Sequence, residues 1–118
     1  VLSFGFKHGI PADADLVFDV RFLANPYYIP ELKNLTGRDK EIREFVMKSD
    51  AAGEFLIKIC DLMEFLIPNY IKEGKNGLVI GIGCTGGKHR SVTLATELAK
   101  ALEAGEYAVK LDHRDIYK

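Results

Sequence analysis

The fold is decided by "GLVIGIGCTGGKHRSVTLATELAKAL", Gly77–Leu102. An apolar run, Leu78–Gly83, has the composition of a buried parallel strand. It enters a glycine-rich turn, and a stripe at helical spacing follows from Ser91 to Ala104, with Val92, Ala95, Ala99 and Leu102 on one side. Gly105 is the expected stop. "YAVKL", Tyr107–Leu111, alternates as a further strand, leaving "DHRDIYK" as a solvated tail. Strand–helix–strand over this half predicts a right-handed βαβ unit and hence an α/β domain with a mainly parallel sheet.

The first half agrees. "LSFGF" (Leu2–Phe6) and "DLVFDVRFL" (Asp15–Leu23) read as strands, separated by the Gly- and Pro-punctuated loop "KHGIPADA". "ANPYYIPELKNLTG" has two prolines and reads as a long ordered irregular segment, the kind that more often serves function than mere connection. A helix is predicted from Thr36 or Gly37 to about Lys48. A second begins at Ser49 or Asp50, with a core stripe through Phe55, Leu56, Ile59, Leu62, Met63 and Leu66. Pro68 should end or kink it near Ile67.

The 118 residues fit one domain with one core, 1–118. Apolar residues make up 47% and charged residues 28%, as in an ordered globular chain, and no run approaches a membrane span. Sixteen Lys+Arg against seventeen Asp+Glu give a net charge of −1, which argues against a generally basic nucleic-acid-binding surface but leaves room for a local patch. Two cysteines, Cys60 and Cys84, make neither a zinc site nor a disulfide framework, so a reducing cytoplasm is expected and no metal is. The Val1 start, entering a strand at once, leads us to expect a domain excised from a longer protein.

Three glycine-motif chemistries fit the turn in part. Gly81, Gly83 and Gly86 satisfy a dinucleotide G-x-G-x-x-G, with Asp112 as a ribose-binding acid, but only one further strand follows. The P-loop fails by register, since Ile82 stands five residues before Gly87 and His89 follows Lys88. Cys84-x₅-Arg90-Ser91 matches the phosphate loop of cysteine phosphatases, in which a thiolate attacks phosphorus and the arginine clamps its oxygens. That mechanism also needs a general acid, for which Asp13, Asp15 and Asp39 are the candidates. The three readings share one physical statement: backbone N–H groups, a helix N-terminus and the cations Lys88 and Arg90 converge on an anion, most plausibly a phosphoryl group. Cations at a helix start are unfavourable unless an anion compensates them. His8, following the first strand, is placed to reach the same edge. Arg21 is either a site cation or half of a pair with Asp19 or Asp15. Asn25 and Tyr27 could line a sugar pocket, and His113 and Arg114 belong with the tail.

"SFGFKHGIPADADLVFDVRFLANPYYIPELKNLTGRDK" together with "IGIGCTGGKHRSV" closely resembles the C-terminal domain of the RapZ/YvcJ family of bacterial proteins, over essentially the whole chain. The resemblance implies a small three-layer fold like a phosphofructokinase subdomain. It implies a phosphosugar or anion pocket on Cys84, Thr85, Gly86, Gly87, Lys88, His89, Arg90 and Ser91, with His8 from the first motif. An N-terminal P-loop NTPase domain, absent here, would carry ATP or GTP; no cofactor is expected in this domain. The resemblance also implies that enteric-type members act as RNA-binding adaptors, sensing an aminosugar phosphate and presenting a small RNA to an endoribonuclease. Lys7, Lys88 and Arg114 would be the RNA contacts here, and a homo-oligomer would be compatible. "NPYY" departs from those members that have histidine in place of Tyr27, and "DHRDIYK" mixes signs where the enteric-type members end in a Lys/Arg-rich tail. The expectation is therefore a cytoplasmic regulatory domain for a phosphorylated small molecule, with no enzyme activity expected of this domain on its own. A Cys84 phosphatase and an RNA-binding module are the alternatives.

Overall fold

A computed structural model describes residues 1–105 and 107–118. Its centre is a wholly parallel four-stranded sheet, with β1 Leu2–Gly5, β2 Leu16–Asp19, β3 Ile80–Cys84 and β4 Asp112–His113 in the order β2-β3-β1-β4. Three helices complete the α/β domain: α1 Lys40–Met47, α2 Asp50–Lys72 and α3 Arg90–Ala104. Alternation sorts β3 onto two faces. Ile80, Ile82 and Cys84 join Val20, Leu94, Ala95 and Leu98 in the buried core, which places α3 over that face.

The other face explains the glycines. Phe4 pairs with Gly83 in register, and a Cβ on Gly83 would lie 2.5 Å from the Phe4 ring and 2.6 Å from the Phe6 ring. The two rings meet edge to face at 4.9 Å, resting where the missing side chains leave room. Gly81 and Gly83 thus serve aromatic packing, which removes the reason to read them as a dinucleotide fingerprint.

Several boundaries differ from expectation. α1 starts at Lys40 rather than Thr36 or Gly37, because Asp39 turns its carboxylate back to the Thr36 N–H at 2.8 Å and keeps an extended backbone as N-cap. Ser49 caps α2 as expected, accepting the Ala52 N–H at 3.3 Å. Pro68 does not end α2, which continues to Lys72. The carbonyl left without a helical partner is that of Glu64, four residues earlier, and Glu64 and Pro68 both lie on the exposed side of the helix. Buried Ile59 and Met63 hold the helix meanwhile.

β2 is shorter than read, ending at Asp19, so Arg21 lies in a turn. The last strand is Asp112–His113, not Tyr107–Leu111. Among the described residues β4 pairs with β1 only through Leu2 opposite Asp112 and Ser3 opposite His113. Tyr107 and Val109 still pack inward, which is the alternation that reads as a strand. The tail is not solvated either: Asp115 and Ile116 are 0% and 3% exposed.

A cationic cleft at the carboxyl ends of the strands

Register brings Gly5, Asp19 and Cys84 to one edge of the sheet, where the connections after β1, β2 and β3 meet. The glycine loop folds back over β1. A Cβ on Gly5 would stand 2.5 Å from the Gly86 carbonyl carbon, and one on Gly87, at φ +80°, would stand 2.6 Å from the Gly5 nitrogen. The Lys7 N–H donates to the Thr85 carbonyl at 3.2 Å, extending that contact. Asp115 fixes it from behind, accepting the Gly5 N–H at 2.8 Å.

Arg90 opens α3, yet its guanidinium is buried and does not wait for an anion. Nη1 donates to the carbonyls of Arg21 at 2.6 Å and Leu23 at 3.0 Å, and Nη2 lies 3.4 Å from the Thr85 hydroxyl. The carbonyl dipoles of the turn after β2 therefore supply part of the compensation that the sequence assigned to a bound anion. Nε remains buried without a partner. Cys84 and Ser91 are buried behind the loop, Sγ to Oγ 3.0 Å.

His89 turns away from the loop, with Nε2 2.6 Å from the Leu35 carbonyl. A carbonyl only accepts, so Nε2 carries the proton. Burial lowers the His89 pKa, partly opposed by the Leu35 and Lys33 carbonyls and reinforced by Lys88 and Arg90. The irregular segment closes the other side: Asn25 Oδ1 accepts the Tyr27 N–H at 3.1 Å, capping the short helical turn Pro26–Tyr28, and Lys33 Nζ sits 4.7 Å above the Tyr27 ring.

Between these parts lies a cleft of about 360 Å³. Cys84, Thr85, Gly86, Lys88, His89 and Arg90 line it from the loop, Asn25 and Tyr27 from the segment. Among the described residues its cations are Lys7, Lys33, Lys88, Arg90 and Lys118, and no aspartate or glutamate lines it. Among the residues picked from sequence, Gly87 and Ser91 are buried under the lining. His8 does not line the cleft, and its Nε2 is buried without a partner. The Arg21 side chain pairs with Asp19 at 2.7 Å and stacks 4.0 Å over Phe6, so only its carbonyl serves the cleft, through Arg90. Arg114 is engaged with Asp115 and with the His8 and Gly9 carbonyls. It has no place in the lining.

Sequence reading missed Lys33 and Asn34, explained Tyr28 equally well by packing, and missed Lys118. The first three lie in the segment already marked as unusually long, which was the available signal. Lys118 had none, because its place depends on the burial of Asp115, to which it pairs at 3.0 Å. The acids offered for phosphatase chemistry lie elsewhere: Asp15 pairs with Lys75 and accepts the Val79 N–H, Asp39 accepts the Thr36 N–H ahead of α1, and Asp13 does not line the cleft. Among the described residues no His/Cys/Asp/Glu group could hold a metal ion, and no helix is long and apolar enough to cross a membrane.

The family model described as the RapZ C-terminal domain matches residues 1–117. The chain belongs to the RapZ C-terminal domain family. Similar proteins carry the name nucleotide-binding protein. One from Lachnoclostridium phytofermentans is 67% identical over 118 residues, covering 100% of this chain and 41% of the relative. One from Agathobacter rectalis is 62% identical over 119 residues, with the same coverage, and one from Thermoanaerobacter pseudethanolicus is 62% identical over 116 residues, covering 98% and 41%. The chain thus spans about 41% of the length of these relatives and corresponds to their C-terminal part.

Proposed function

We propose that this RapZ-type domain binds a phosphorylated small molecule, an aminosugar phosphate, in the cleft at the glycine loop. It acts as the ligand-responsive part of a longer nucleotide-binding protein. The observation that carries the reading is the charge of the cleft: among the described residues, five cationic side chains and no carboxylate line it. A dianionic phosphoryl group is the natural complement, met by Lys88, Lys7 and the backbone N–H groups of Thr85–Gly86. Thr85, Asn25, Asn34 and the Tyr27 and Tyr28 hydroxyls supply neutral donors and acceptors for a sugar.

The whole protein's nucleotide chemistry belongs, in this proposal, to the part beyond this domain, as do its small RNA and ribonuclease partners. The few free lysines at the cleft support only weak RNA contact by this domain, near the non-specific range of ~10⁻⁴–10⁻⁶ M. A cysteine phosphatase is disfavoured, because Arg90 Nη1 is committed to two carbonyls and no acid among the described residues lines the cleft.

Calorimetric titration with a hexosamine phosphate, the matching hexose phosphate and inorganic phosphate tests the reading. Binding of both sugar phosphates, tighter for the hexosamine and weakened at least about tenfold by Lys88→Ala, is expected. Equal affinity of the two sugar phosphates would remove the amino group from the proposal, and binding indifferent to Lys88 would remove the loop.

A further inference from the structure

We propose a second oxyanion site, separate from the glycine-loop cleft, in which Arg38, Arg43 and His113 receive the phosphoryl group of a small molecule. A cleft of about 270 Å³ lies between the turn before α1, α1 itself, α3 and β4. Arg38, Arg43 and His113 line it with Thr96, Leu111 and Gly37, and among the described residues no carboxylate joins them. Three basic side chains from three separate parts of the fold thus face one small space.

Their partners elsewhere are few. Among the described residues neither arginine is in an ion pair. Arg38 Nη1 donates to the Tyr117 hydroxyl, which orients the guanidinium while leaving Nη2 and Nε for a ligand. His113 is held from below: its Nδ1 lies 2.7 Å from Oγ of Ser3, a fully buried residue of β1. With Nδ1 engaged, Nε2 remains for a ligand, and the ring is fixed before one arrives. The wall is equally fixed. Gly37 donates its N–H to the Lys88 carbonyl at 2.8 Å, and a Cβ there would meet Val92 at 2.6 Å.

The charge balance selects a phosphoryl group. Two guanidiniums are permanently charged and present planar forks to paired oxygens. The histidine can add a third charge when a dianion arrives. Burial lowers the His113 pKa, Arg38 lowers it further, and Asp112 opposes both. Around this ring the charged groups are Arg38 and Arg43 from the α1 side and Asp112 beside it, with the Val1 ammonium close to Asp112. A bound oxyanion reverses the balance and draws a proton onto His113. The inference does not depend on what the glycine loop binds.

The test is an NMR pH titration of the histidine rings in the 118-residue chain, with the His113 signal assigned by His113→Gln. Inorganic phosphate and acetate are compared with chloride at equal ionic strength. Phosphate should raise the His113 pKa by about one unit, and acetate by much less. The shift should vanish in Arg43→Gln and in Arg38→Ala, both partly or fully exposed positions, and persist in Lys88→Ala. No shift with phosphate, or a shift unchanged in both arginine variants, would overturn the site. An equal response to acetate would overturn its assignment to phosphoryl groups.

Discussion

The carboxylate of Asp115, fully buried, accepts the Gly5 N–H at 2.8 Å and so ties the end of the chain to the peptide on which the glycine loop rests. Burial opposes its ionisation. Hydrogen bonds from Arg114, from Gly5 and from Lys118 outweigh that opposition and hold its pKa at about 2. An unfolded aspartate titrates near 3.9. Because the folded value is the lower one, the stabilisation is present above about pH 4 and is lost as the pH falls towards 2. Asp115→Asn should cost about 2 kcal/mol at pH 7. In urea melts at several pH values, the gap to wild type should close on acidification; a gap independent of pH would show that the charge is not what matters.

Arg90→Ala should unfold the domain more easily as well as weaken ligand binding. It leaves the Arg21 and Leu23 carbonyls without their donor under a buried side chain, at a cost of about 2–3 kcal/mol. A domain that lost affinity at unchanged urea midpoint would mean that the guanidinium serves the ligand alone.

Cys84→Ser should keep phosphosugar affinity within about a factor of ten, or 1.4 kcal/mol, because the thiol is buried against Ser91. The wild-type domain should show no sustained turnover of an aryl phosphate. Turnover that disappears in Cys84→Ser would reinstate the phosphatase.

His89 gives a pH dependence of opposite origin to a salt bridge. Its folded pKa is lowered chiefly by burial, so as the pH falls below about 6.5 the unfolded chain takes up the proton first and stability declines. His89→Gln keeps a donor for the Leu35 carbonyl without a titrating ring, and its melts should lose part of this slope between pH 7 and pH 5. An unaltered slope would assign it to other groups.

Much of the architecture was legible because β3 and α3 carry strong, distinct periodicities and the turn between them carries its own glycines. The loop residues were legible for the same reason. Arg90 was legible as a residue but not as a contact, since nothing in the sequence shows that the carbonyls after β2 would reach it. The tail misled because burial of Asp115 is a long-range event: its partner Gly5 is 110 positions away. Pro68 misled because the local rule against proline weakens on the exposed side of a helix.

Phe4 and Gly83 occupy a single volume divided between two strands. A methyl group added at Gly83 must displace an aromatic ring from a fully buried position, whereas a smaller residue at position 4 would vacate that room. The two positions should therefore vary as a complementary pair among related sequences, large with small, and neither should drift alone.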